Sequence, residues 1–116
     1  MRLAPPVVCY KFPTPYQYAE VPAGEKKIVW ELKVTGGYTG FINKVSCDWY
    51  KSCFWEWSVD GVLIEKVERE VSVTEPDEFS PPIIARKWIR WIYYNKDTVD
   101  HVVGVMLDGE LCVKKG

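Results

Sequence analysis

Cys53-Phe54-Trp55-Glu56-Trp57-Ser58-Val59-Asp60-Gly61-Val62-Leu63-Ile64-Glu65-Lys66-Val67 is the stretch that decides the fold. Asp60-Gly61 suits a two-residue type I′ connection, whose central residues both take positive φ, and it lies between two runs compatible with β-strands. Pairing Val59 with Val62 predicts Trp57 opposite Ile64. It gathers Trp55, Trp57, Val59, Val62 and Ile64 on one face and leaves Glu56, Ser58 and Glu65 on the other. Turn chemistry and period-two alternation therefore agree on an antiparallel hairpin with one aromatic, core-directed side.

The same reading extends outward along the chain. Upstream, Ile28, Trp30, Leu32 and Val34 alternate with Glu31 and Lys33 as a half-buried strand. Gly36-Gly37-Tyr38-Thr39-Gly40 then allows a reversal into a β-compatible run from Phe41 to Trp49. Downstream, residues 68–82 are acidic and proline-bearing and read as a crossover loop with at most one short strand near Val71 and Val73. Ile83 to Tyr94 reads as one long strand with Ala85, Ile89, Trp91 and Tyr93 toward the core. Asp100–Leu107 is expected to pair with Glu110–Val113 around a second turn at Asp108-Gly109. Gly and Pro interrupt the apolar runs, so no helix competes. The prediction is an all-β fold, an antiparallel, jelly-roll-like β-sandwich of about seven or eight strands.

Residues 1–24 hold five of the eight prolines, interleaved with Tyr10, Phe12, Tyr16 and Tyr18. Proline removes ladder donors, so this segment reads as an extended arm that wraps the domain or reaches a neighbour, ahead of a single sandwich domain over 25–116. The 116 residues suffice for one proper core. Fifteen basic and sixteen acidic side chains give a net charge of −1, which removes the broad positive field behind general nucleic-acid binding. No membrane span and no apolar leader are visible, so synthesis in a cytoplasm is expected, with an extracellular location as the alternative. One Gln and two Asn beside abundant Val, Ile, Lys and Glu is the direction composition takes in thermophiles.

Catalytic machinery is not legible. The single histidine, His101, has no evident partner and reads as a strand-edge residue making ordinary hydrogen bonds. No carboxylate pair can be singled out for glycoside hydrolysis, and Gly36-Gly37 lacks the context of a phosphate loop. Neither a CxxC pair nor a second histidine is present, so no metal or other cofactor is expected. Four cysteines allow three pairings. Cys47 with Cys53, across a reversal, and Cys9 with Cys112, near the two ends, fit two disulfides, with buried free thiols as the alternative.

Binding candidates fall in three places. The amino-terminal arm offers Tyr10, Phe12, Tyr16 and Tyr18, and the loop after Cys47 offers Trp49 and Tyr50. The outward set of the long strand, Arg86, Trp88, Arg90, Ile92 and Tyr94, mixes guanidinium and aromatic groups suited to stacking, cation–π contact or an interface anchor. Packing within the sheet surface is the competing reading of that set.

Val21-Pro22-Ala23-Gly24, Gly36-Gly37-Tyr38-Thr39-Gly40-Phe41-Ile42, Ser58-Val59-Asp60-Gly61, Pro81-Pro82 and Val105-Met106-Leu107-Asp108-Gly109 together resemble β-sandwich modules in virion structural proteins of tailed viruses. The resemblance spans residues 21–113. It implies a non-catalytic capsid decoration or tail component, made without a secretion signal and partnered by capsid or tail proteins or by further copies of itself. On that reading the proline and tyrosine arm grasps a neighbouring subunit. The alternative is a carbohydrate-binding module that stacks Trp49, Tyr50, Trp88 or Tyr94 on sugar rings.

Overall fold

In the computed structural model, which describes residues 6–72 and 74–115, Asp60 and Gly61 take φ of 53° and 82°. They join β5 (Cys53–Val59) to β6 (Val62–Val67) with Val59 opposite Val62, as the turn chemistry requires. The rest of the chain is nested around this tip. β4 (Thr39–Cys47) pairs with β7 (Asp77–Ala85), β3 (Lys26–Lys33) with β8 (Trp88–Asn95), and β2 (Tyr16–Val21) with β9 (His101–Lys114), all antiparallel. Rolling this nested hairpin places successive pairs in opposite sheets. One sheet has the order β3-β8-β5-β6. The other is β1-β9-β4-β7, with β1 (Val7–Lys11) and β2 on successive lengths of the same edge of β9. The result is an all-β sandwich in jelly-roll order.

Between the sheets lies an aromatic core. Trp91 stacks on Trp55 at 4.6 Å and on Trp57 at 5.2 Å between ring centroids, and Trp30, Tyr93, Ile89, Ile42, Leu107, Val103 and Val105 close around them. The inward set read for the long strand holds, since Ala85, Ile89, Trp91 and Tyr93 are all fully buried.

Several local readings are corrected. A bulge between Trp57 and Ser58 puts Glu65, not Ile64, opposite Trp57, and it leaves Ile64 half-buried and Val62 64% exposed. A second bulge between Ile28 and Trp30 turns Ile28 outward and buries Val29. Ile83 to Tyr94 is not one strand. It breaks at Arg86-Lys87, where the chain crosses from β7 to β8 and so from one sheet to the other. The crossover before it is shorter than 68–82, because β7 begins at Asp77. Asp108-Gly109 is no turn but the middle of the 14-residue β9. A side chain at Gly109 would run into the Phe41 carbonyl and the Phe12 ring, so glycine there serves a close approach rather than a reversal. Val71 makes an isolated bridge with Cys47, while Val73 and residues 1–5 of the arm lie outside the described residues.

The proline and tyrosine segment lies along the domain. Residues 7–11 and 16–21 pair along one edge of β9, and between them Phe12 inserts into the core and donates its backbone N–H to Gly109 O at 3.2 Å.

Asp60 has a second task. Its carboxylate accepts the backbone N–H groups of Arg86, Lys87 and Trp88 at 2.9, 2.6 and 2.9 Å, which ties the hairpin tip to the β7–β8 crossing. Partial desolvation opposes ionisation, but these three donors outweigh it and hold the Asp60 carboxyl below its ordinary value. Asp60→Ala loses this acceptor and places alanine at positive φ, so it is expected to cost about 2 kcal/mol of stability. Asp60→Asn keeps one acceptor oxygen and should cost less. A lowered folded-state pKa gives stability that is present above the unfolded value of about 3.9 and is lost as pH falls through the folded value. Acid titration of unfolding should therefore show a shallower acid limb in Asp60→Asn. Asp97, also lowered, still contributes in that variant.

Candidate functional site

Strand alternation sends every second residue of β8 away from the core, and the flanking strands supply partners in register. Trp88, Arg90, Ile92 and Tyr94 stand in a row on the outer face of the four-stranded sheet, with Lys33, Glu31, Ile28 and Lys26 of β3 on one side and Ser58, Glu56 and Phe54 of β5 on the other. The Arg90 guanidinium lies 4.3 Å from the Trp88 ring centroid, with Lys33 Nζ 5.4 Å from the same ring. Arg90 Nε also faces Glu31 Oε2 at 3.5 Å. At the other end of the row Tyr94 stacks on Phe54 at 4.4 Å, donates its hydroxyl to Glu56 Oε1, and has Lys26 at 5.6 Å. Lys66 sits 4.9 Å over Phe54. The hydrogen bond to Glu56, with burial second, raises the Tyr94 pKa, so the phenol remains a donor at neutral pH. Cations and rings thus alternate across the sheet in fixed geometry.

The other predicted residues separate. Arg86 is in the β7–β8 turn and not on this face. Phe12 is buried against Trp30 at 5.8 Å and is not a binding residue on the surface. Tyr10 is exposed beside Tyr38. Trp49 is not a free loop tip, because it packs on the core and donates its indole N–H to Cys53 O at 2.8 Å.

Tyr50 lies over His101 at the start of β9 and donates its hydroxyl to Val102 O at 3.2 Å, while Tyr16 and Tyr18 stand on the outer face of the five-stranded sheet beside β9. Gly104 makes room there, since a side chain in its place would meet the Tyr16 ring. Its N–H is taken by Asp48 Oδ2 at 2.8 Å. Burial, with the Asp48 carboxylate second, raises the Tyr16 pKa. Tyr18 is 69% exposed and edge-on to Tyr16.

Two arrangements were missed by the sequence reading. His101 has a partner after all, because its Nε2 lies 2.8 Å from Asp97 Oδ2 while Tyr50 stacks on the imidazole at 3.9 Å. Asn95 is fully buried and ties the β8–β9 connection, donating to Val21 O and Val99 O and accepting from Asp97 N–H, each at 2.9 Å. The Asp97–His101 spacing of four residues was the one available hint.

Of the two expected disulfides one forms. Cys9 and Cys112 are joined across β1 and β9, whereas Cys47 and Cys53 are free thiols buried in the core. The Cys47 thiol turns back to Asp48 O and Cys53 to Asn95 Oδ1, which gives each a local partner in place of the other. Burial pushes the Cys47 pKa far above its ordinary value, so it stays protonated and inert. Among the described residues one trio of potential metal ligands converges, Cys9, Glu110 and Cys112, and both of its sulfurs are committed to the disulfide. The sequence matches no protein-family model and no curated protein.

Proposed function

We propose that this protein is a non-enzymatic virion structural component, a capsid decoration or tail assembly and adhesion module, acting through protein–protein contacts on the outer face of the β3-β8-β5-β6 sheet. The observation that carries the reading is the β8 row, in which Trp88, Arg90 and Tyr94 are held by cross-strand partners before any ligand arrives. Tryptophan, tyrosine and arginine are the side chains that most often dominate protein interfaces, and rings fixed in advance lose little entropy on docking. The cations seated on the rings favour a partner that presents carboxylates, namely a capsid or tail protein or a further copy of the chain. Jelly rolls recur in viral capsid domains and in lectins, an analogy of fold that supports the virion reading without excluding the other.

The carbohydrate-binding alternative needs bare ring faces on Trp49, Tyr50, Trp88 or Tyr94. Trp49 is packed on the core, Tyr50 covers His101, Trp88 carries two cations and Tyr94 lies against Phe54. That arrangement favours the protein partner.

Particles purified from a source that carries the gene should contain the chain at a fixed copy number by mass spectrometry. Its absence from those particles overturns the proposal. Trp88→Ala and Arg90→Ala are each expected to weaken attachment to particles about 30-fold, corresponding to about 2 kcal/mol, with thermal unfolding nearly unchanged. Glycan-array binding that is lost in Trp88→Ala would transfer the assignment to the alternative.

A further inference from the structure

β1 is held in place by its backbone ladder to β9 and by one covalent bond, with no buried side chain to add to them. None of its five residues is buried, and among the described residues it pairs with β9 alone. Its ion pairs, Lys11 with Asp108 and Glu110, are at the surface, where such contacts contribute little. One residue later the situation changes, because Phe12 is buried against Trp30 and hydrogen-bonded to Gly109. The chain is therefore anchored by the core from Phe12 onward, and before it only by an edge ladder and the Cys9–Cys112 bond.

We propose that the Cys9–Cys112 disulfide is a redox latch on β1, and that the β9 edge beneath β1, Glu110–Lys114, is an exchange interface that accepts β1 of a second copy of this chain. Release of β1 leaves a row of unpaired backbone N–H and C=O groups on β9, which a new strand satisfies. The segment that fits is already visible. Val7 opposite Lys114, Cys9 opposite Cys112 and Lys11 opposite Glu110 make the same contacts whether the strand arrives from its own chain or from another. Release also removes Val7 and Cys9 from the wall of an apolar hollow of about 630 Å³ shared with Thr39, Phe41 and Val113, and exchange restores that wall.

Opening requires a reductant. Dithiothreitol transfers two electrons to the S–S bond, leaving two cysteine thiols and cyclic oxidised dithiothreitol. Closure between copies requires an oxidant such as oxidised glutathione. The Cys9 thiolate of one copy attacks a glutathione sulfur and expels one glutathione thiolate. The Cys112 thiolate of the other copy then attacks the mixed disulfide at Cys9 and expels the second.

The test is hydrogen exchange on the full chain before and after dithiothreitol, followed by reoxidation with oxidised glutathione at increasing protein concentration. Reduction is expected to speed exchange at least about tenfold at residues 7–11 and 110–114 while β5 and β8 keep their protection. Reoxidation of a mixture of ¹⁵N-labelled and unlabelled chains should give a covalent dimer whose Cys9–Cys112 peptide pairs one labelled and one unlabelled half. The Cys9→Ser/Cys112→Ser variant should exchange like the reduced protein and form no covalent dimer. Unchanged protection at 110–114, loss of protection throughout the domain, or reoxidation to monomer at every concentration would overturn the proposal. A dimer bonded through Cys47 or Cys53 would do the same. The readouts do not involve the β8 face, so this result and the particle-attachment result stand or fall separately.

Discussion

Trp91→Ala is expected to lower the free energy of unfolding by about 4 kcal/mol, a large fraction of the roughly 5–15 kcal/mol that holds an ordinary domain folded. Trp91 is fully buried in the central position of β8, stacked on both Trp55 and Trp57, and its removal opens a void that β-sheet backbone on either side prevents from collapsing. Trp91→Phe separates volume from polarity. The Trp91 indole N–H has only the Cys47 sulfur, a weak acceptor, to face, so the smaller ring gives up area and little polar contact, and a cost of about 1 kcal/mol is expected. Trp88→Ala, three residues away in sequence on the opposite face of the same strand, serves as the control and should shift stability by less than about 1 kcal/mol. Urea denaturation followed by far-ultraviolet circular dichroism measures all three without relying on tryptophan emission. A Trp91→Ala cost no larger than that of Trp88→Ala would show that the stacked trio is not the centre of the core.

The contrast between Trp91 and Trp88 was legible in the sequence because alternation needs only a count of two, and the β8 count is unbroken from Trp88 to Asn95. The hairpin tip was legible for a different reason. Asp60-Gly61 tolerates positive φ at both positions, and local chemistry alone decides such a turn. Where one extra residue enters a strand the count fails silently. The bulges after Ile28 and beside Ile64 reverse the expected facing of their neighbours without any change in residue type. The strand order β3-β8-β5-β6 rests on pairings between residues as distant as Lys26 and Tyr94, which no local pattern encodes. For the same reason the β8 row was visible as Trp88, Arg90 and Tyr94, but its partners Lys33, Glu31, Phe54 and Glu56 were not. The fate of the cysteines was hidden too. Spacing placed Cys47 and Cys53 across a reversal, whereas burial and the acceptors Asp48 O and Asn95 Oδ1 kept them apart as thiols.

The two Asp-Gly dipeptides look alike in sequence and differ in physics, which sets up the second large effect. Gly61 has φ of 82° and open space where a side chain would project, so Gly61→Ala meets only backbone strain of about 1 kcal/mol. Gly109 lies inside β9, where an added Cβ would strike the Phe41 carbonyl on one side and come within 2.6 Å of the Phe12 ring on the other. The ring can shift only by leaving the core, and the carbonyl belongs to β4, which pairs with β9 along this length. Gly109→Ala is therefore expected to cost about 3 kcal/mol, the upper part of the range for overpacking. It should also perturb β1 and β2, because Phe12 N–H loses its geometry to Gly109 O and Leu107 N–H its geometry to Pro15 O. Paired denaturation of Gly61→Ala and Gly109→Ala, with amide chemical shifts of residues 7–21, separates the two cases. Were Gly109 a turn residue, its alanine variant would match Gly61→Ala and leave residues 7–21 undisturbed, whereas a threefold larger loss with shifts spreading along that edge identifies a glycine required by the close packing of Phe12 and Phe41.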